Sequence, residues 1–104
     1  MKPQGPLEKI IEQKTCEAAK KRGCLEYKFT SPSRRSVPDR LFIGPKGTIW
    51  FAEFKRLGLQ PTESQAIEID KIKRQGIPVF VVDSVTAGQV MLEKMMGSEN
   101  VEDY

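Results

Sequence analysis

The apolar positions change period several times along this chain, and each change marks an element. From Pro6, a favourable first-turn residue, Leu7, Ile10, Ile11, Thr15 and Ala18 recur at helical spacing. They predict a helix to about Arg22, stopped by Gly23. Leu25, Tyr27 and Phe29 then alternate with Glu26, Lys28 and Thr30, the pattern of a half-buried strand over 25–30. SPSRRSVP at 31–38 has no period and is rich in Ser, Pro and Arg, so it is a loop. The stretch VPDRLFIGPKGTIWFAEFKR, Val37–Arg56, predicts two strands joined by a tight Gly-Pro-Lys-Gly turn. In its second strand Trp50, Phe51, Ala52 and Phe54 are apolar on both sides, as expected inside a sheet. After LGLQP, Thr62 opens a helix to about Gln75, with Thr62 and Gln65 at capping-box spacing. Gly76 ends that helix, Pro78 prevents its return, and Val79–Asp83 is a short apolar strand. Ser84 or Thr86 begins a last helix to about Met96.

A strand, a helix and a strand at this spacing form a βαβ unit, so the last strand should lie parallel to the one bearing Glu53. The fold class is therefore α/β: helix, three-strand meander, helix, parallel strand, helix around a mixed four-stranded sheet. Residues 7–96 make the single domain, with a flexible segment at 1–6 and an acidic, disordered tail at 97–104.

Composition narrows the chemistry. A chain of 104 residues has room for one modest core. No apolar run reaches membrane-spanning length and no signal-peptide pattern opens the chain, so Cys16 and Cys24 read as cytosolic thiols. Net charge is +3, but Glu99, Glu102 and Asp103 lie after Ser98, which leaves the preceding body about three charges more positive. That suits a polyanionic partner. Histidine is absent, which excludes His-dependent triads, His-ligated zinc and a His base. What remains is carboxylates, lysine and a hard, oxygen-seeking metal.

Glu53 and Lys55 project on the same side of their strand, roughly 7 Å apart along the chain. The hairpin returns Asp39 towards them. A four-residue loop would place Asp39 opposite Ala52, on the wrong face; a five-residue loop or a one-residue bulge would place it opposite Glu53. Glu–Lys pairs also decorate ordinary strands. In an apolar strand, however, both charges are costly unless paired or bound to something, and two carboxylates with an amine make a plausible magnesium site. Glu12 falls at the edge of the first helix's apolar stripe, where it can reach over a sheet. Arg34 and Arg35 are delivered beside Asp39 by the loop, as phosphate contacts or as a solvated connector. Lys20, Lys21 and Arg22 suit the negative end of their helix.

With Asp39, Glu53 and Lys55 as PD…ExK, the chain resembles the PD-(D/E)XK nuclease superfamily, and within it the small stand-alone VRR-NUC domains of phages and bacteria. The similarity spans residues 7–93. It rests on Glu12, KKRG at 20–23, YKFTSP at 27–32, RSVPDRL at 35–41, FAEFK at 51–55, TESQ at 62–65 and GIPVFVVDS at 76–84. It implies a Mg²⁺-dependent (or Mn²⁺-dependent) DNA endonuclease in a bacterial or phage-infected cytoplasm, acting on Holliday junctions or other branched DNA. Asp39, Glu53, the Phe54 carbonyl and Glu12 would hold the metal, with Glu8 a lesser candidate. Lys55 would orient or deprotonate the attacking water. Gln65 would hold the lysine or a phosphate, unless its cap claims it. Lys28, Ser31, Arg34, Arg35 and Arg40, within or beside the matched blocks, are the expected DNA contacts. Family members often carry glycine where Ser36 stands. Two other readings stay open: a DNA-binding or assembly module that keeps the fold without cleaving, and a plain structural domain.

A four-way junction needs two opposed cuts, so the working unit is expected to be a homodimer. In the last helix Val85, Leu92 and Met96 face the core, while Val90, Met91 and Met95 widen the apolar surface and offer an interface.

Overall fold

The computed structural model describes residues 4–97. In chain order it contains α1 (Glu8–Lys21), β1 (Leu25–Lys28), β2 (Arg40–Ile43), β3 (Ile49–Phe54), α2 (Glu63–Arg74), β4 (Val79–Val82) and α3 (Val85–Met96). The sheet runs β1-β2-β3-β4, antiparallel up to β3 and parallel between β3 and β4. This is the meander and crossover that the periodicity predicts. The punctuation works as expected too: Gly23 and Gly76 take positive φ just beyond α1 and α2, and Thr62 with Gln65 closes a full capping box. Ser84, not Thr86, caps α3, its hydroxyl accepting from the Ala87 N–H at 2.9 Å.

The core lies between one face of the sheet and the pair α1 and α3. Phe42, Trp50, Ala52, Phe54 and Val82 meet Ile11, Cys16 and Ala19 of α1 and Met91 and Leu92 of α3. The strand members are all even-numbered, as one pleated face requires. Phe42 and Trp50 are cross-strand partners and stack at 5.4 Å. Where α1 crosses α3, a Cβ on Gly88 would stand 2.3 Å from Thr15 Oγ1, so only glycine lets the helices approach this closely. α2 packs against β4 and lends no residue to this cluster.

Several expectations change. The buried stripe of α1 is Ile11, Thr15, Cys16 and Ala19, while Leu7 and Ile10 remain exposed and Ala18 is half-buried. β1 ends at Lys28, and its apolar side faces out: Leu25 is 55% and Tyr27 51% exposed. The inward side carries Glu26, which can be buried because Arg40 and Lys20 neutralise it. On the outward face the register builds two apolar rows, Leu25–Ile43–Ile49 and Tyr27–Leu41–Phe51. The expected surplus on α3 largely disappears. Met91 is fully buried and Met95 packs against the core, which leaves Val90 exposed.

The N-terminal segment is anchored where it is described. The Gln4 N–H donates to the Leu57 carbonyl, and the Arg56 guanidinium donates to the Gly5 carbonyl at 2.9 Å. The rest of the expected flexible segment, 1–3, and the acidic tail from 98 lie outside the described residues.

Candidate active site

The β2–β3 hairpin sets the geometry. Its loop is five residues long, since Ile43 pairs with Ile49 and Arg40 with Ala52. One step further along this register, Asp39 faces Glu53, the outcome that the longer loop predicts. Asp39 is fixed on both sides: its Oδ2 accepts from the Phe54 N–H at 2.7 Å, and its carbonyl accepts from the Phe29 N–H at 2.9 Å.

Glu53 is 2% exposed, on an interior strand. Its Oε2 lies 3.8 Å from Lys55 Nζ, an ion-pair distance too long for a hydrogen bond, and its Oε1 has no partner. Burial, with the charge of Asp39 behind it, pushes the Glu53 carboxyl up to about 7 against the pull of Lys55. Asp39 is also raised, by burial and by the charge of Glu12, partly offset by its bond from Phe54 and by Lys55 and Lys28. Glu8, at the start of α1, is raised by burial and then by Asp39. Asp39, Glu53 and Glu8 therefore share one field, in which Lys55 is the cation acting on all three.

This donor set fits a hard divalent cation. Among the described residues no three acidic or thiol groups converge tightly enough to enclose an ion by themselves. Asp39 and Glu53 instead form a two-carboxylate half-site, and magnesium characteristically takes one or two protein carboxylates and keeps several waters. The unpartnered Glu53 oxygen is what such an ion would satisfy.

Glu12 reaches over the sheet to Arg40. Its Oε2 accepts from Arg40 Nε at 2.6 Å, and Arg40 also donates to Glu26 Oε1 at 2.5 Å. Lys20 reaches the other Glu26 oxygen at 3.2 Å. Burial works against the Arg40 charge, but the bond to Glu12 and the surrounding anions outweigh it and leave its pKa raised. Arg40, expected among the DNA contacts, is thus committed to a link between α1, β1 and β2. A groove of about 580 Å³ runs along α1 past Glu8, Glu12, Glu26, Lys28 and Arg40. Glu8, the lesser candidate by sequence, is the α1 carboxylate that acts on Glu53, while Glu12 acts on Asp39. It lies one turn before Glu12 on the same helix face, and only the position of Arg40 separates the two.

Gln65 is occupied by the capping box: its Oε1 accepts from the Thr62 N–H at 2.9 Å, and no hydrogen bond joins it to Lys55 among the described residues. The 31–38 loop leans on α2. Arg34 pairs with Glu68 at 3.2 Å and its N–H donates to Ser31 Oγ, while the Ser36 hydroxyl donates to Ser64. Arg35 and Lys28 are exposed. Ser36 has φ +65°, alone among the described non-glycine residues in being positive. Glycine, implied there by the resemblance, takes that conformation without strain.

No family profile matches the sequence. Over 84 residues the chain is 39% identical to a protein of Acyrthosiphon pisum secondary endosymbiont phage 1 named "Putative nuclease p44", an alignment covering 81% of this chain and 90% of that one. A solved structure described as a VRR_NUC domain superposes with a TM-score of 0.78 at 31% identity, covering 83% of this chain and 94% of the other. Sequence and fold agree with the hairpin that presents Asp39, Glu53 and Lys55: the chain belongs to the VRR-NUC family of nuclease domains.

Proposed function

We propose that this protein is a Mg²⁺- or Mn²⁺-dependent endodeoxyribonuclease that prefers branched DNA, Holliday junctions among them, and works as a homodimer. One observation carries the metal-dependent reading. A glutamate buried in an interior strand, with one oxygen unpartnered and its pKa near 7, is costly in a structural domain and useful in a cation site.

Asp39, Glu53 and the Phe54 carbonyl would hold the ion, completed by an α1 carboxylate. Glu8 is favoured over Glu12 for that role because Arg40 holds Glu12. A bound divalent cation supplies charge neutralisation at the phosphate and a more acidic water. Lys55, near Glu53, is positioned to donate to the attacking water or to take its proton. Lys28 and Arg35 are exposed and can contact phosphates, while Arg34 would first have to leave Glu68.

The branched-DNA preference rests on the family resemblance, and the dimer on the need for two opposed cuts. The contact surface moves from α3 to the sheet. Leu25, Tyr27 and Ile49 are exposed in apolar rows, and a two-fold partner would cover those rows.

A panel of linear, flapped, forked and four-way DNA, each with Mg²⁺, Mn²⁺ or EDTA, tests the activity. Cutting in EDTA overturns metal dependence; equal rates on all substrates overturn the preference; binding without cutting makes the protein a DNA-binding module. Light scattering at micromolar concentration should give a dimer mass, and Leu25→Glu with Ile49→Glu a monomer mass. A monomeric wild type removes the dimer.

A further inference from the structure

Beside the carboxylate cluster stands a group of exposed apolar side chains that neither the core nor the proposed chemistry uses. The segment leaving β3 continues Lys55, Arg56, Leu57, Gly58, Leu59, and folds back through a bond from the Leu59 N–H to the Arg56 carbonyl. The N-terminal segment runs alongside and enters α1 at Leu7, next to Glu8. The two plies are tied together by the Gln4–Leu57 bridge and by Arg56 on the Gly5 carbonyl. The result is a two-ply lip on which Leu7 is 58%, Leu57 42% and Leu59 36% exposed. Leu7 is one of the residues that helical periodicity assigns to the core.

We propose that this lip is a wedge for the unstacked end of a duplex arm where DNA branches, so that Leu7, Leu57 and Leu59 supply part of the preference for branched substrates. The proposal rests on the nuclease reading above. Leu57 lies two residues from Lys55 in the chain and Leu7 directly precedes Glu8, so both plies of the lip run straight on from residues of the carboxylate cluster. A continuous duplex presents phosphates and sugars there, with nothing for three leucines to bury. Base faces become available only where stacking is interrupted, and apolar side chains are used elsewhere to enter such steps. The cross-ties hold the leucines in place before DNA arrives, which lowers the ordering cost of binding.

The test uses the full chain and a four-way junction carrying 2-aminopurine at its branch point, with linear duplex as control. Leu57→Ser with Leu59→Ser changes two exposed side chains, and circular dichroism with thermal melting checks that the fold is intact. In EDTA, wild-type protein should raise 2-aminopurine fluorescence on the junction but not on linear duplex. The double variant should lose that rise. With Mg²⁺ its branched-to-linear cleavage ratio should fall about tenfold, the equivalent of one lost apolar contact, while the linear rate holds. Unchanged fluorescence and ratio overturn the wedge. Equal loss on both substrates also overturns it, assigning the leucines to support of the catalytic residues. A change in mass by light scattering overturns it in favour of a contact between copies. If wild-type protein cuts no DNA, the nuclease reading fails separately, and the fluorescence in EDTA still decides the wedge.

Discussion

Asp39 and Arg40 are neighbours in the chain, yet each heads a buried charge cluster of a different kind. Around Arg40 the accounts balance: Arg40 and Lys20 face Glu12 and Glu26, two cations to two carboxylates, with the Arg40 bonds at 2.5–2.6 Å. Around Asp39 they do not: the carboxyls of Asp39, Glu53 and Glu8 outnumber the cations acting on them, Lys55 and, at Asp39, Lys28, with an ion pair of 3.8 Å and an orphaned oxygen. A satisfied cluster can be pure architecture, because no group in it gains from an outside partner. An unsatisfied one, held in the fold at a cost to stability, is where a ligand gains most. The contrast separates scaffold from site more sharply than burial does, since both clusters are partly buried.

The largest effect should come from Lys55. Lys55→Ala should lower cleavage by about 10²–10⁴-fold, the usual worth of a proton-transfer or water-orienting group, with DNA binding retained. Asp39→Ala and Glu53→Ala should lose Mn²⁺ affinity as well, read by calorimetry. Near-normal cutting by any of the three would erase the distinction between the clusters.

Arg40→Ala tests the other side. It strands Glu12 and Glu26 in partly buried positions and should destabilise by roughly 2–3 kcal/mol, below the figure for fully buried pairs because solvent still reaches these groups. Adding Glu12→Gln and Glu26→Gln should recover most of that in urea melts. If cleavage collapses while stability holds, the Arg40 cluster belongs to the site after all.

Glu53→Gln should move stability the opposite way. The folded carboxyl titrates near 7 against an ordinary 4.5. Between those values the folded protein keeps a proton that the unfolded chain has released, so this contribution to stability falls as pH rises and stays lost above about 7. Metal-free Glu53→Gln at pH 8 should therefore be about 1–3 kcal/mol more stable than wild type, and equal to it below pH 4.5. Metal should bind wild type more tightly from pH 6 to 8, because binding releases that proton. A less stable Glu53→Gln at pH 8 would show that Glu53 is already satisfied.

The smallest effect concerns the loop. Arg34→Ala with Arg35→Ala should weaken binding to every DNA alike and reduce the salt slope by about one phosphate contact. One rather than two is expected because Arg34 already has Glu68. An unchanged slope would make the loop a connector.

Much of this was legible in the residues, because local signals act over a few positions. Gly23, Gly76, the Thr62–Gln65 box and the change of apolar period placed all seven elements, and strand alternation put Glu53 and Lys55 together. The misreadings share a cause. Apolar character alone points Leu25, Tyr27, Leu7 and Ile10 inward, where the fold exposes them, and the apolar surplus of its helix points Met91 outward, where the fold buries it. Which face of an amphipathic element turns inward depends on what it meets across the sheet, and here Glu26 turned inward because Arg40 and Lys20 met it.

The sequence alone determined the order of elements, the parallel crossover and the chemical types available, since these follow from short-range sterics, hydrophobic period and the absence of histidine. Tertiary structure alone decided the hairpin register that brings Asp39 opposite Glu53 and the pairing of Glu12 with Arg40 across the sheet. Those outcomes turn on single-residue shifts and on competition between like groups for one partner. A carboxylate has the same local sequence preferences whether its counter-ion is an arginine across the sheet or a cation from solution; only the three-dimensional count of charges tells them apart.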